Sequence, residues 1–218
     1  MIRLRKRALA PNIARRLEER AARYFHLLDA GEPIPDSVAS SYRDAELKAA
    51  LRAETSDKCA YCESKVPHVD YGDIEHIRPK SVEPRLRFAY DNMTYACGVC
   101  NTKKGEYHDP ALPLVNPYDD DPQEHFIAAG PMVMRSPDSD RGLVTERRLD
   151  LNRSNLIERR QERLESIATL VDRLARTRSQ TIRDVLLAQV QEECRDEREY
   201  AFIVRAYVNS VSTRSANI

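Results

Sequence analysis

The fold of this chain is decided by two cysteine pairs, Cys59-Ala60-Tyr61-Cys62 and Cys97-Gly98-Val99-Cys100. Each Cys-x-x-Cys turn presents two thiols from one tight loop, and Zn²⁺ takes four thiolate or imidazole ligands in a tetrahedron. Two such turns predict a four-cysteine zinc site, which is structural because no coordination position stays open. The alternatives are unligated cysteines or a redox dithiol, but a redox pair normally occurs once, beside a β-α-β pattern absent here.

The residues around the second cysteine pair suit phosphodiester chemistry. Asp73-Ile74-Glu75-His76 and Asn92 lie between the pairs, and Asn101 directly follows the second. Phosphodiester hydrolysis needs a base that activates water and a divalent cation that neutralises charge on the phosphate. The imidazole of His76 suits the first role at pH 7. The side-chain oxygens of Glu75 and Asn101 suit Mg²⁺ or Mn²⁺, which prefer hard oxygen ligands.

This pattern resembles the HNH, or ββα-metal, endonucleases, which carry an acidic-His pair on the first strand, an Asn in the connecting loop and a final His or Asn on the helix. The resemblance implies His76 as the general base and Glu75 and Asn101 as ligands of the catalytic Mg²⁺ or Mn²⁺. It implies Asn92 as the residue that fixes the loop and orients His76. In the zinc-containing variant of this family, the structural ion is held by four cysteines, here Cys59, Cys62, Cys97 and Cys100.

Further motifs narrow the resemblance, which covers about residues 47–160. They are Cys59-x-Tyr61-Cys62-Glu63, Ile74-Glu75-His76-x-Arg78-Pro79-Lys80, Cys97-x-x-Cys100-Asn101-x-x-Lys104, Asn116-Pro117 with Asp120-Asp121-Pro122, and Leu149-Asp150-Leu151-Asn152-Arg153. Together they resemble the HNH nuclease component of Septu-type and retron-associated anti-phage defence systems. That resemblance implies an ABC-like ATPase as the partner protein and a nucleic acid, expected to be DNA, as the substrate.

Four basic residues near these motifs are candidate nucleic-acid contacts: Arg78, Lys80, Lys103 and Lys104. Phosphate contacts position a nuclease on its substrate without reading sequence. Lys104 is the strongest of the four, because it falls one helical turn after Asn101 and on the same face. A solvated surface charge is an equally good interpretation of each one taken singly.

Composition predicts a soluble globular protein. The chain has 218 residues, of which 41% are hydrophobic and 32% charged, and its formal net charge is zero. Basic residues concentrate in 1–23 and acidic ones in 106–125, so charge distribution says more than the total. No apolar run approaches the roughly 18 residues of a membrane span, and no secretory h-region follows the basic start. Cysteines in metal-type spacing favour a reducing compartment, the cytoplasm.

The predicted fold class is α+β, a small ββα-metal HNH core with a structural zinc, flanked by N- and C-terminal α-helices. We expect an N-terminal helical segment (1–56), the nuclease core with its zinc knuckles (57–110), an irregular region with short β pieces (111–150) and a C-terminal helical segment (151–218), together one compact domain. Helical spacing predicts one helix from residue 36 to about residue 54. Short strands are expected on both sides of Gly130-Pro131.

The sequence therefore predicts a metal-dependent HNH endonuclease acting on DNA. Two alternatives stay open. One is a non-catalytic zinc-binding module for nucleic-acid or protein interaction, and the other is an HNH toxin that cleaves RNA. An HNH core reads backbone geometry and carries little base-edge specificity, so the residues alone do not separate DNA from RNA.

Overall fold

The computed structural model describes residues 1–68 and 70–216. It contains two antiparallel strand pairs, β1 (Asp73–His76) with β2 (Met93–Ala96) and β3 (Phe126–Ala129) with β4 (Met132–Arg135). The α-helices are α1 (Pro11–Ala30), α2 (Asp36–Ala39), α3 (Ala45–Glu54), α4 (Gly98–Lys104), α5 (Pro122–His125), α6 (Asp140–Leu149), α7 (Ser154–Arg176), α8 (Gln180–Glu193) and α9 (Ala201–Ala216). Among the described residues, no helix has both the length and the apolar character needed to cross a membrane. The predicted α+β class is confirmed.

The chain forms two compact units. The N-proximal unit comprises Leu4–Ala60 and Lys65–Pro113, and so contains α1 to α4 with the β1–β2 pair. The C-proximal unit comprises Met1–Arg3, Tyr61–Ser64 and Leu114–Ile218. The finer division into four consecutive segments stays a prediction.

The order β1, β2, α4 gives the N-proximal unit its ββα core. In the antiparallel register, Glu75 lies opposite Thr94, and His76 lies opposite Met93. Gly72, just before β1, has φ +63°, and a Cβ there would lie 2.4 Å from the ring of Tyr95, so only glycine fits. This close approach fixes how the chain enters β1.

The start of α4 is held from outside the helix. The Asp70 carboxylate accepts the backbone N–H of Gly98 at 2.6 Å, and this bond is the main reason that the pKa of Asp70 is lowered. The Sγ atom of Cys97, at the N-cap, accepts the N–H of Cys100 at 3.5 Å. A helix of seven residues is too short to be stable alone, so these anchors are needed.

The single helix expected over residues 36–54 is wrong. The structure has α2 ending at Ala39 and α3 beginning at Ala45. Asp44 caps α3, its carboxylate accepting the N–H groups of Glu46 at 2.9 Å and Leu47 at 3.1 Å. A capping Asp favours a helix start over a helix interior, which here outweighs the apolar periodicity. The resulting turn buries Tyr42.

The C-proximal unit follows the sequence prediction more closely. The expected strands form the β3–β4 hairpin, and Gly130 at its turn has φ +60°. Asn152 receives the N–H of Val133 and donates to its carbonyl oxygen, both at 2.9 Å, which ties the hairpin to the start of α7. Leu164 and Ile167, three residues apart on α7, are buried.

Candidate active site

Four cysteines form a cluster suited to a metal ion. Cys59, Cys62, Cys97 and Cys100 are buried, and their Sγ atoms all lie within 4.8 Å of one another. Tetrahedral Zn²⁺ with Zn–S bonds of about 2.3 Å separates its sulfurs by about 3.8 Å, so the cluster fits such an ion with small adjustments. Four buried thiols would fill all four coordination positions of the ion, which is typical of a structural zinc-type site.

His76, at the end of β1, has a fixed tautomer. Its Nε2 lies 2.8 Å from the carbonyl oxygen of Arg87, which can only accept, so Nε2 carries the proton. Nδ1 therefore holds the lone pair, and no described residue donates a hydrogen bond to it. Burial is the main cause that lowers the pKa of His76, to about 4; the hydrogen bond to the Arg87 carbonyl opposes this, and the charges of Lys80, Arg87 and Lys104 add to it. The ring is 3% exposed and meets the Tyr42 ring edge-on, with centroids 4.7 Å apart.

Asn92, the last residue of the long loop between β1 and β2, binds the start of that loop and its middle. Its Oδ1 accepts the N–H of Arg78 at 2.8 Å, and its Nδ2 donates to the carbonyls of Arg78 at 3.0 Å and Leu86 at 3.3 Å. Its own carbonyl accepts the N–H of Ile77 at 2.8 Å. Since Leu86 immediately precedes Arg87, these bonds also hold the carbonyl that orients His76.

Glu75 and Lys104 form a buried ion pair. Oε1 of Glu75 lies 2.8 Å from Nζ of Lys104, and the two residues are 6% and 3% exposed. Burial raises the pKa of Glu75, and the charge of Lys104 opposes that rise. Lys104 lies on the same face of α4 as Asn101, as expected, but that face packs on β1 and its ammonium meets Glu75. The phosphate contact expected of Lys104 stays a prediction, and it requires this pair to open.

Asp73 and Asn101 meet across the ββα core. Nδ2 of Asn101 donates to Oδ2 of Asp73 at 2.8 Å, which leaves Oδ1 of Asn101 as a free acceptor. Asp73 and Glu75 stand two residues apart on β1, so they share one face of the strand. The three side chains offer the hard oxygen atoms that Mg²⁺ or Mn²⁺ prefers.

A cleft of about 550 Å³ collects these groups. Asp73, Glu75 and Asn101 line it, together with Lys80 and residues of the segment from Tyr42 to Lys48. Tyr42, and not His76, is among the lining residues, although the two rings are in contact. The structure thus brings the expected metal ligands into one cleft, whereas the expected base is buried and contacts the cleft lining through Tyr42.

The other expected phosphate contacts are differently placed. Lys80 is half-buried and lines the cleft, whereas Arg78 and Lys103 are exposed. The phosphate contacts of all three stay predictions.

Several residues of the cleft were missed from the sequence. Asp73 carried a usable signal, because a residue two positions before Glu75 on a strand faces the same side. Tyr42, Arg43 and Lys48 carried no such signal, because a continuous helix over residues 36–54 does not predict that they line one cleft. The capping potential of Asp44 was the signal that could have revealed the break.

Comparison with known proteins agrees with this geometry. Residues 59–106 match the HNH endonuclease family. The chain is 35% identical to Septu protein PtuB of Bacillus thuringiensis over 37% of this chain and 32% of that protein. It is 30% identical to Septu protein PtuB of Bacillus mycoides (strain KBAB4), over 39% of each chain. The chain thus spans well under half the length of either relative.

The matched segment holds the four cysteines, both acidic residues of β1, His76, Asn92 and Asn101. The resemblance stated from the motifs is therefore confirmed over this part of the chain. The chain carries an HNH endonuclease domain at residues 59–106 and is similar to Septu protein PtuB.

Proposed function

We propose that this chain is a metal-dependent HNH endonuclease that hydrolyses phosphodiester bonds in DNA. The observation that carries the proposal is the cleft into which β1 and α4 bring Asp73, Glu75 and Asn101, with His76 packed against Tyr42 of its lining. Mg²⁺ or Mn²⁺ held by oxygen atoms of these three residues would neutralise charge on the scissile phosphate and the leaving oxygen.

His76 acts as the general base in this proposal. Its Nε2–H is committed to the Arg87 carbonyl, so only Nδ1 can take a proton from the attacking water. The neutral imidazole is the form that accepts a proton, and burial favours that form. Asn92 holds the loop that presents the Arg87 carbonyl, and so it positions His76 without touching the substrate.

Glu75 depends on Lys104 for its place in the cleft. Inside the protein its carboxylate pairs with Lys104, whose charge opposes the rise in the pKa of Glu75 that burial causes. We assign Lys104 to positioning Glu75. Lys80 in the cleft, with the exposed Arg78 and Lys103, is proposed to contact phosphates.

We further propose that this nuclease is the effector of a Septu-type anti-phage defence system and works with an ATPase partner. The similarity to Septu protein PtuB supports this role. A net charge of zero predicts weak binding to nucleic acid by the chain alone, which suits a nuclease recruited by a partner. The cytoplasm is the proposed location, since thiols in metal spacing stay reduced there.

The test is plasmid nicking by the purified chain, alone and with a co-expressed ATPase, in Mg²⁺, Mn²⁺ or EDTA. His76→Ala should lower the rate by about 10²- to 10⁴-fold, the usual contribution of a general base. His26→Ala removes an exposed imidazole on α1 and should leave the rate unchanged. Equal nicking by His76→Ala and wild type would support the non-catalytic zinc module instead. Cleavage of RNA but not of plasmid would support the RNA-cleaving alternative.

A further inference from the structure

One wall of the active-site cleft comes from outside the segment that matches the HNH family. That segment begins at residue 59, whereas Tyr42, Arg43 and Lys48 line the same cleft as Glu75 and Asn101. The break between α2 and α3 creates this wall, because it turns the chain at residues 40–44 and starts α3 beside the cleft. The N-terminal helices therefore contribute directly to the surface that a substrate meets.

The acidic side chains of the cleft are mostly neutralised within the protein. Asp44 is held by Arg20 at 2.9 Å and Arg16 at 3.6 Å. Glu75 is held by Lys104 at 2.8 Å. Asp73 is the remaining carboxylate of the lining, and it faces the amide of Asn101.

The cations of the cleft are not neutralised in the same way. Arg43, Lys48 and Lys80 form no ion pair within 4.0 Å of a carboxylate in the described part of the chain. Arg43 is exposed and Lys48 half-buried, and Lys48 acts on Asp70 only through a longer-range electrostatic interaction. The centroid of the Tyr42 ring lies at about equal distances from two of these charges, 5.9 Å from Cζ of Arg43 and 6.0 Å from Nζ of Lys80. Among the described residues of the lining, three cations thus have no carboxylate partner, and one carboxylate, that of Asp73, has no cationic partner.

We propose that Arg43 and Lys48 form a phosphate-binding subsite that holds the nucleic-acid backbone next to the scissile phosphate. This subsite rests on the proposed nuclease function, since it shares the cleft with the expected metal ligands. A guanidinium donates to two phosphate oxygens at once, and an ammonium acts as a mobile point charge. Both contacts are to the backbone, so they raise affinity without selecting sequence.

The subsite also gives the N-terminal helices a function. Lys48 lies on α3, and Arg43 immediately precedes the cap of that helix, so both cations lie at or next to the start of α3. The isolated segment 59–106 would lack this wall. Nucleic-acid binding by the chain should therefore depend on residues that precede the HNH domain.

The experiment measures binding of a fluorescent DNA duplex to the full chain in Ca²⁺, from about 20 to 200 mM salt, where electrostatic contacts dominate. A duplex RNA of the same sequence forms a second arm and distinguishes the two sources of phosphate. The variants are Arg43→Gln, Lys48→Gln and the double variant. Arg23→Gln is the matched control, because Arg23 is an exposed arginine of α1 outside the cleft.

Each single variant should reduce the slope of log affinity against log salt by about 0.9 on duplex DNA, the value for one phosphate contact. If the wild type and the variant bind equally when extrapolated to 1 M salt, a slope smaller by about 0.9 makes the variant bind about eightfold more weakly than the wild type at 0.1 M. The slope should fall about twice as much in the double variant as in each single variant, and Arg23→Gln should have the wild-type slope.

Wild-type slope and affinity in the double variant would overturn the subsite, as would a wild-type chain that binds neither duplex at low salt. The failure of the subsite is distinguishable from that of the nuclease. Loss of nicking in His76→Ala with unchanged binding by the double variant removes only the subsite. Unchanged nicking in His76→Ala with weakened binding by the double variant removes only the catalytic role of His76.

Discussion

The buried ion pair between Glu75 and Lys104 makes Lys104→Met a sharp test of the active-site structure. Methionine keeps an unbranched chain and removes the charge, which leaves the Glu75 carboxylate 6% exposed and without its cation. Removing one partner of a buried pair costs about 3–5 kcal/mol, because the other charge stays desolvated. We therefore expect the free energy of unfolding to fall by that amount, and Tm to fall by about 10 °C for a chain of this size.

The same pair allows a complete double-mutant cycle. Glu75→Gln combined with Lys104→Met removes both charges, so most of the stability lost in Lys104→Met should return, which requires a coupling energy larger than the cost of Glu75→Gln alone. Lys103→Met removes an exposed charge from the same helix and should change stability by less than about 1 kcal/mol. The two lysines thus differ in burial and not in residue type or helix.

The assay is urea unfolding followed by far-UV circular dichroism at pH 7 with saturating zinc. The slope against urea must stay constant across the variants, so that the midpoint reports stability alone. If the two compact units unfold in separate transitions, the change belongs to the one that contains α4. Equal midpoints for Lys104→Met and Lys103→Met would refute the buried pair, and so would a double variant no more stable than Lys104→Met alone.

Three further substitutions test the elements around the site. Cys97→Ser should lose bound zinc, measured by atomic absorption, together with helical signal, whereas Cys194→Ser, outside the cluster, should keep both. Asn92→Ala removes three side-chain hydrogen bonds from the loop and should cost about 3 kcal/mol of stability in urea unfolding; a cost near zero would contradict its loop-fixing role. Gly72→Ala places a Cβ 2.4 Å from the Tyr95 ring at φ +63° and should cost about 2 kcal/mol or more in thermal unfolding, unless Tyr95 moves freely.

Local spacing accounts for what the sequence predicted correctly. A Cys-x-x-Cys turn and a Gly-Pro turn between β-prone residues each depend on neighbours a few positions apart, so the cysteine cluster and the β3–β4 hairpin were accessible. The helix break at residues 40–44 was not, because apolar periodicity across Val38, Tyr42, Ala45 and Ala49 fits an unbroken helix. Capping by Asp44 competes with that periodicity and depends on backbone geometry that periodicity does not report.

Buried charges are the second kind of feature that spacing does not reveal. Arg160 of α7 reads as a solvated charge in sequence, yet it is 2% exposed and donates to the carbonyl of Leu151 at 2.7 Å. Lys104 likewise finds its partner on β1. In both cases the partner is set by tertiary packing, so the sequence places the charge on a helix and leaves its environment undetermined.

The cysteine cluster bears on the candidate active site through the position of one short helix. Cys97 and Cys100 flank the first turn of α4, and Asn101 follows directly, so whatever fixes these cysteines also fixes Asn101 against Asp73. Seven residues do not sustain a helix without tertiary support, and the clustered thiols together with Asp70 supply that support at its first turn. The contacts of His76, by contrast, are with Arg87 and Tyr42, away from the cysteines. A metal at the cysteines would therefore fix the side of the cleft that holds Asp73 and Asn101, while the loop held by Asn92 fixes His76.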